Sequence, residues 1–193
     1  QVKLPEHKTP GFTFCGNAGR LQRIPLLIKA IDQYCQQGGT LPFVFAGAGV
    51  YAADLEKLAQ QHSNVTYSGL VSASDAAQLN ADYTWALLPI EDEVTRYAFP
   101  SKSSSYVFSG ALIAAVCGNE TSVAKWVTDN RLGVVVAPEV DALCQFFFNV
   151  ERGQYDAEAF DYERGELKQS LGFDAFLQKL TGLVVDMDSH KND

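Results

Sequence analysis

Basic residues are in short supply in this chain. Fifteen Lys and Arg face twenty-three Asp and Glu, for a formal net charge of −8 and a pI of about 4.8. Such a balance gives no bulk attraction for a polyanion, so no nucleic-acid partner is expected. Histidine is scarcer still, with three in 193 residues. His7 lies in the leader, His62 at a helix end and His190 in the tail. None follows an apolar strand, so neither a Ser-His-Asp nor a Cys-His constellation is expected. The cysteines number four. Cys15, Cys35, Cys117 and Cys144 are far apart, form no CxxC, and pair with no His at metal spacing. They read as buried free thiols in a reducing compartment rather than a disulfide framework or a metal centre. No apolar run reaches about 18 residues and no signal peptide is recognisable, so this stretch does not read as membrane-spanning. Repeats and low-complexity segments are missing too. The chain starts at Gln1 without an initiator Met, as an excised portion of something longer would.

What the chain does have is a core's worth of apolar residues, 47% hydrophobic against 20% charged, a balance foreign to disorder. Short apolar runs alternate with helical patterns. The runs are Phe12–Cys15, Phe43–Ala46, Val65–Tyr67, Trp85–Leu88, Leu112–Val116 and Gly133–Val136. Between them, Ile24–Tyr34 places Ile24, Leu27, Ile28 and Ile31 on one helical face. Further helices are expected near Ala53–Gln60, over Ala73–Leu79 with Ser72 or Ser74 as cap, over Ser101–Ser109 behind Pro100, over Ser122–Thr128, and from Pro138 through Val150. Strands such as LIAAV and GVVV are apolar throughout, as strands covered on both faces must be. The expected fold is α/β: a Rossmann-like, doubly wound parallel sheet of about six strands with helices on both faces. Residues 1–11 read as a leader or linker and 12–152 as the domain. Residues 153–193 read as a C-terminal helical extension with a frayed tail.

Ligands of such a sheet bind at the carboxyl ends of the strands. Gly47-Ala48-Gly49, with Ala52 three residues on, has the layout of a dinucleotide turn. An NAD site also needs an acid at the end of the next strand, and that strand ends in Ser68-Gly69. The turn is on the second strand besides, so a dehydrogenase is disfavoured. The loop CGNAGRLQR is better placed for a phosphate: Gly16, Asn17, Ala18 and Gly19 let backbone come close. Arg20 and Arg23 sit at the following helix start, where a cation opposes the macrodipole and a bound anion would relieve the conflict. The second candidate is FPSKSSSYVFSG, where Ser101, Lys102, Ser103, Ser104 and Ser105 crowd hydroxyls and an ammonium into a first helical turn. No DxD-type cluster suggests a metal; Glu91-Asp92-Glu93 comes nearest and reads as a solvated loop.

Taken in order, FCGNAGRLQRIPLLIKAI, FVFAGAG, VTYSGLVSASDAAQLNADYTWALLPI, PSKSSSYVFSGALIAA and SVAKWVTDNRLGVVV resemble the C-terminal, nucleotide-sugar-binding half of a GT-B glycosyltransferase of family 4 type, in its bacterial polysaccharide and O-antigen branch. The likeness runs from Phe12 to about Val150. It implies that the GNAGR loop faces the donor diphosphate, with Arg20 as its cation. Gly47 and Gly49 would line the donor cleft. The backbone of Leu70 and Val71 would meet the nucleotide base, and Lys102 with its serines the diphosphate and ribose. Of the family's usual glutamate pair, the second member falls on Ser105, and the first on Glu93 only if about four extra residues are allowed in a loop. The expected lysine after the first glycine loop falls on Gln22. The PSK form is a variant of the branch, so the departures read as divergence.

The resemblance implies transfer of a sugar from a nucleoside-diphosphate sugar to a glycan or lipid-linked acceptor in polysaccharide or lipopolysaccharide biosynthesis. Arg20, Lys102 and helix N-termini would stabilise the leaving diphosphate, with no cofactor and no metal. It implies an N-terminal acceptor-binding domain in the same protein, and a cytoplasmic location, peripheral on the inner membrane face in the full-length form. A GT-B-like epimerase and a non-catalytic interaction domain are the other readings. The epimerase would need carboxylates and a histidine in the cleft.

Overall fold

The computed structural model describes residues 2–95 and 110–155. Six strands form one sheet: β1 (Thr9–Cys15), β2 (Phe43–Ala46), β3 (Val65–Tyr67), β4 (Tyr83–Pro89), β5 (Leu112–Val116) and β6 (Gly133–Val136). Every pairing is parallel, in the order β3-β2-β1-β4-β5-β6. The helices are α1 (Ile24–Gln36), α2 (Ala52–Gln61), α3 (Ala73–Asp82), the short α4 (Asp92–Thr95), α5 (Ser122–Asp129) and α6 (Val140–Glu151). The doubly wound sheet expected from the apolar runs is the sheet observed. Chain direction across it reverses between β1 and β4, and that is the switch point at which such sheets open a crevice.

The strands feed two cores with period two. Phe12 and Phe14 of β1, Trp85 and Leu87 of β4, and Leu112, Ala114 and Val116 of β5 point to one face, where α1, α2 and α6 cover them. Ala86, Leu88, Ile113 and Ala115 point to the other, where α5 supplies Val123, Trp126 and Val127. Through Asn80 and Ala76, α3 covers the Thr13 and Cys15 side of β1. The first core is aromatic. Phe12 stacks on Phe43 at 4.8 Å between centroids, and Phe147 of α6 meets both edge-on at 5.0 Å. Such pairs add about 0.5–1.5 kcal/mol each beyond the area they bury. Apart from Trp126, the second core is built from small and aliphatic side chains.

Some boundaries differ from expectation. β1 begins at Thr9, before the apolar run, because Thr9 pairs with Tyr83 across a bulge and Thr84 Oγ1 accepts the Gly11 N–H at 3.1 Å. The pairing comes from β4, so the Pro10-Gly11 dipeptide, a breaker by composition, does not stop the strand. α1 begins at Ile24, where the helical pattern is expected to begin, after Arg23 takes a left-handed conformation (φ 46°). α6 begins at Val140 rather than beside Pro138. The expected Ser72 cap is present: Asp75 N–H donates to Ser72 Oγ at 3.1 Å. All four cysteines are free, three buried and Cys35 half-buried; burial pushes the Cys35, Cys117 and Cys144 thiols up from their ordinary value. The helix expected over 101–109 lies outside the described residues, as does the C-terminal extension beyond Tyr155.

Candidate functional site

A cleft of about 490 Å³ opens at the carboxyl ends of β1, β2 and β3. Its walls are Gly16 and Asn17 after β1, Gly47, Ala48 and Gly49 after β2, and Leu70 and Val71 after β3, with Ala73 and Ala76 of α3 closing one side. Three loops far apart in sequence thus meet over one sheet edge, and six residues singled out from sequence line the same space.

The two glycine loops pack directly on each other. A Cβ at Gly47, whose φ is 138°, would run into the Gly16 carbonyl oxygen. One at Gly49, with φ 147°, would come within 2.5 Å of Asn17 Oδ1 and 2.6 Å of Ala18 O. Only glycine fits such an approach. Backbone hydrogen bonds complete the seam. Ala18 N–H donates to Ala48 O at 2.9 Å and Tyr51 N–H to Ala18 O at 3.0 Å. Gly47 N–H donates to Gly69 O at 2.7 Å, and Tyr67 O–H to Gly47 O at 2.8 Å. The glycines of the dinucleotide-like turn are therefore used to join loops. Ala18, buried in this seam, is a structural member and not a wall of the cleft.

The rest of the surface is available to a ligand. Asn17 is exposed, and its side-chain amide makes no hydrogen bond with the described residues. Leu70 is 81% exposed and stands in the wall of the cleft, where it offers an apolar surface to a ligand. Arg20 is exposed and forms no ion pair among the described residues. Neither Gly19 nor Arg20, both expected at the site, is among the residues that line the cleft.

Arg23 departs from the reading that paired it with Arg20 as an anion-seeking cation. Its side chain is only 15% exposed and makes three contacts within the protein. Nε donates to Ile90 O at 2.8 Å, one terminal nitrogen to Asp92 Oδ1 at 2.9 Å, and the other lies 3.4 Å from Glu91 Oε2. The conflict with the helix dipole is relieved by protein carboxylates instead of by a bound anion. Glu91-Asp92-Glu93 is correspondingly not a solvated loop: two of its acids are paired and Asp92 opens α4. Glu93 is exposed on α4 and does not line the cleft. Ser101, Lys102, Ser103, Ser104 and Ser105 lie outside the described residues. Among the described residues no group of three or more His, Cys, Asp or Glu could hold a metal ion, and no helix is long and apolar enough to cross a membrane.

Sequence reasoning missed Tyr67, which fixes the Gly47 carbonyl, and the Ala73/Ala76 wall. Two alanines three apart on a helix opening after a strand-end loop were the available signal.

No family model matches the chain. It is similar to a probable glycosyltransferase, WbjE, of Pseudomonas aeruginosa, 24% identical over 153 residues that make up 75% of this chain and 38% of the relative. Among solved structures it resembles WaaG, a glycosyltransferase involved in lipopolysaccharide biosynthesis, with TM-score 0.64 and 14% identity over 94% of this chain and 48% of the other. It also resembles Anabaena HepE in complex with UDP, with TM-score 0.63 and 15% identity over 95% and 49%. This chain has the fold of a GT-B half-domain. The chain spans less than half the length of these relatives. Its cleft lies at the carboxyl edge of the sheet, on the side of the switch point where β1, β2 and β3 end.

Proposed function

We propose that this chain is the nucleotide-sugar-binding, C-terminal half of a glycosyltransferase. The enzyme would move a sugar from a nucleoside-diphosphate donor to a glycan or lipid-linked acceptor in polysaccharide or lipopolysaccharide biosynthesis. The observation that carries the reading is the cleft: it lies at the carboxyl ends of three parallel strands, between two glycine loops, and is lined by an exposed leucine and by an asparagine whose amide has no partner among the described residues. That it sits in a fold shared with a UDP complex supports a uridine or related nucleotide as occupant. In this reading the base lies against Leu70 and Val71, and Asn17 and Arg20 meet the ribose and diphosphate. Lys102 and Ser101, Ser103, Ser104 and Ser105 approach from the following segment, with Glu93 near the sugar.

Charge builds on the departing diphosphate during transfer, so a cation held in place lowers the barrier without chemistry of its own. Arg20 fits that role: it is exposed, forms no ion pair among the described residues, and its guanidinium is matched to phosphate oxygens. No cofactor enters the scheme. The acceptor site, and any base acting on the acceptor, would belong to an N-terminal domain. The full-length protein would work in the cytoplasm, against the inner face of the membrane.

Calorimetric titration of the chain with UDP, GDP and their sugars tests the reading. Micromolar-to-millimolar binding of one nucleotide family is expected; no heat with any of them overturns it.

A further inference from the structure

Three strand-end loops meet at the switch point, and one ion pair holds them. Arg23 comes from the end of the β1 loop, Ile90, Glu91 and Asp92 from the end of β4, and Gly118 from the end of β5. The guanidinium spans Ile90 O, Glu91 and Asp92. Asp92 Oδ1 also accepts the Gly118 N–H at 2.9 Å. Close behind, Glu91 N–H donates to Leu21 O at 3.1 Å. A Cβ on residue 118 would lie 2.6 Å from Asp92 Oδ2, so the carboxylate occupies space that only glycine leaves open. Arg23 itself holds φ 46°, a conformation arginine rarely adopts, and the three contacts of its fork are what hold it there.

We propose that the Arg23–Asp92 pair is a positioning device for the donor site: it fixes the Gly16–Arg20 loop from behind without touching the ligand. The inference rests on the donor-binding reading above. With only 15% of its side chain exposed and its guanidinium turned to two carboxylates and a carbonyl, Arg23 faces the protein and does not line the cleft. What it does reach is the root of the loop whose other end presents Asn17 and Arg20. Placement of these two groups relative to Leu70 and Val71 decides whether base and diphosphate can be held together, and a displacement of about 1 Å in such a site can cost up to a hundredfold. The planar fork matters here, because a lysine can reach one of these acceptors and not all three.

The test uses the whole chain and two readouts. Hydrogen exchange of the ligand-free protein follows the Gln22, Glu91 and Gly118 amides, and calorimetry follows affinity for UDP and GDP. Arg23→Lys and Asp92→Ala are each expected to speed exchange at these amides and to weaken nucleotide binding about tenfold. Asp92→Asn keeps the shape if the alanine variant fails to fold. Glu151→Gln, at the far end of α6, should lower the melting temperature and leave affinity unchanged. Retained affinity in Arg23→Lys would mean that a bare cation suffices, and the proposal falls. Unchanged exchange overturns it too, as does faster exchange with unchanged affinity, which would make the pair merely structural. If exchange responds but the unmutated chain binds no nucleotide, the donor reading itself has failed, and the positioning role falls with it.

Discussion

Tyr34 and Glu151, 117 positions apart in sequence, share a hydrogen bond of 2.8 Å that ties the end of α6 back to α1. Thr40 adds its N–H at 2.8 Å and its hydroxyl at 2.9 Å to the same carboxylate oxygen. Leu41 N–H donates to the phenol oxygen at 3.0 Å. The carboxylate thus closes the domain at the edge opposite the cleft.

A pH dependence follows from this junction. Partial burial disfavours the charge on Glu151, but the donors from Thr40 and Tyr34 outweigh it and lower its pKa below the ordinary carboxylate value. A folded-state pKa below the unfolded one stabilises the protein above the unfolded pKa. That stability is lost as pH falls through the folded value. Glu151→Gln should therefore cost about 1 kcal/mol at neutral pH, the group being partly solvated. The gap in melting temperature between variant and parent should close in acid, below the ordinary carboxylate range. A gap that stays constant from neutral to acid pH would show that charge plays no part.

Gly47→Ala should destabilise the chain by about 2–3 kcal/mol, because it adds strain at φ 138° to a collision with the Gly16 carbonyl. Urea unfolding measures the loss. Nucleotide binding should weaken in the same variant, since the seam between the two loops is a wall of the cleft.

Arg20→Ala should leave the unfolding free energy within about 0.5 kcal/mol of the parent, as suits an exposed side chain with no ion pair among the described residues. It should cost about 1.5–3 kcal/mol of nucleoside-diphosphate affinity, the worth of a charged hydrogen bond. Binding of the nucleoside alone should be unaffected. Lys102→Ala is expected to behave alike in calorimetry.

Leu70→Asp should also spare stability, because the side chain is 81% exposed. It should impair binding of nucleoside and nucleotide together, unlike Arg20→Ala. Equal loss in the two variants for both ligands would break the assignment of base and diphosphate ends.

The sheet was legible because its strands are apolar on both faces; LIAAV in β5 contributes to both cores and leaves no other assignment. The cleft was legible through its glycines, although for a partly different reason: Gly47 and Gly49 serve the packing of two loops upon each other. Arg23 could not be read. Its partners lie 67 and 69 positions away, and only the switch of strand order between β1 and β4 brings them together. Nothing local in LQRIP distinguishes it from Arg20. The strand start at Thr9 was hidden for a similar reason, since its pairing with Tyr83 is a property of the neighbour.

The seam between the first two loops has an evolutionary consequence. Because main chain meets main chain there, its contour cannot be retuned by exchanging one side chain for another. A lineage that changes its preferred nucleotide would have to do so at Asn17, Arg20 and Leu70, which project from that frame, while the frame itself passes down unaltered.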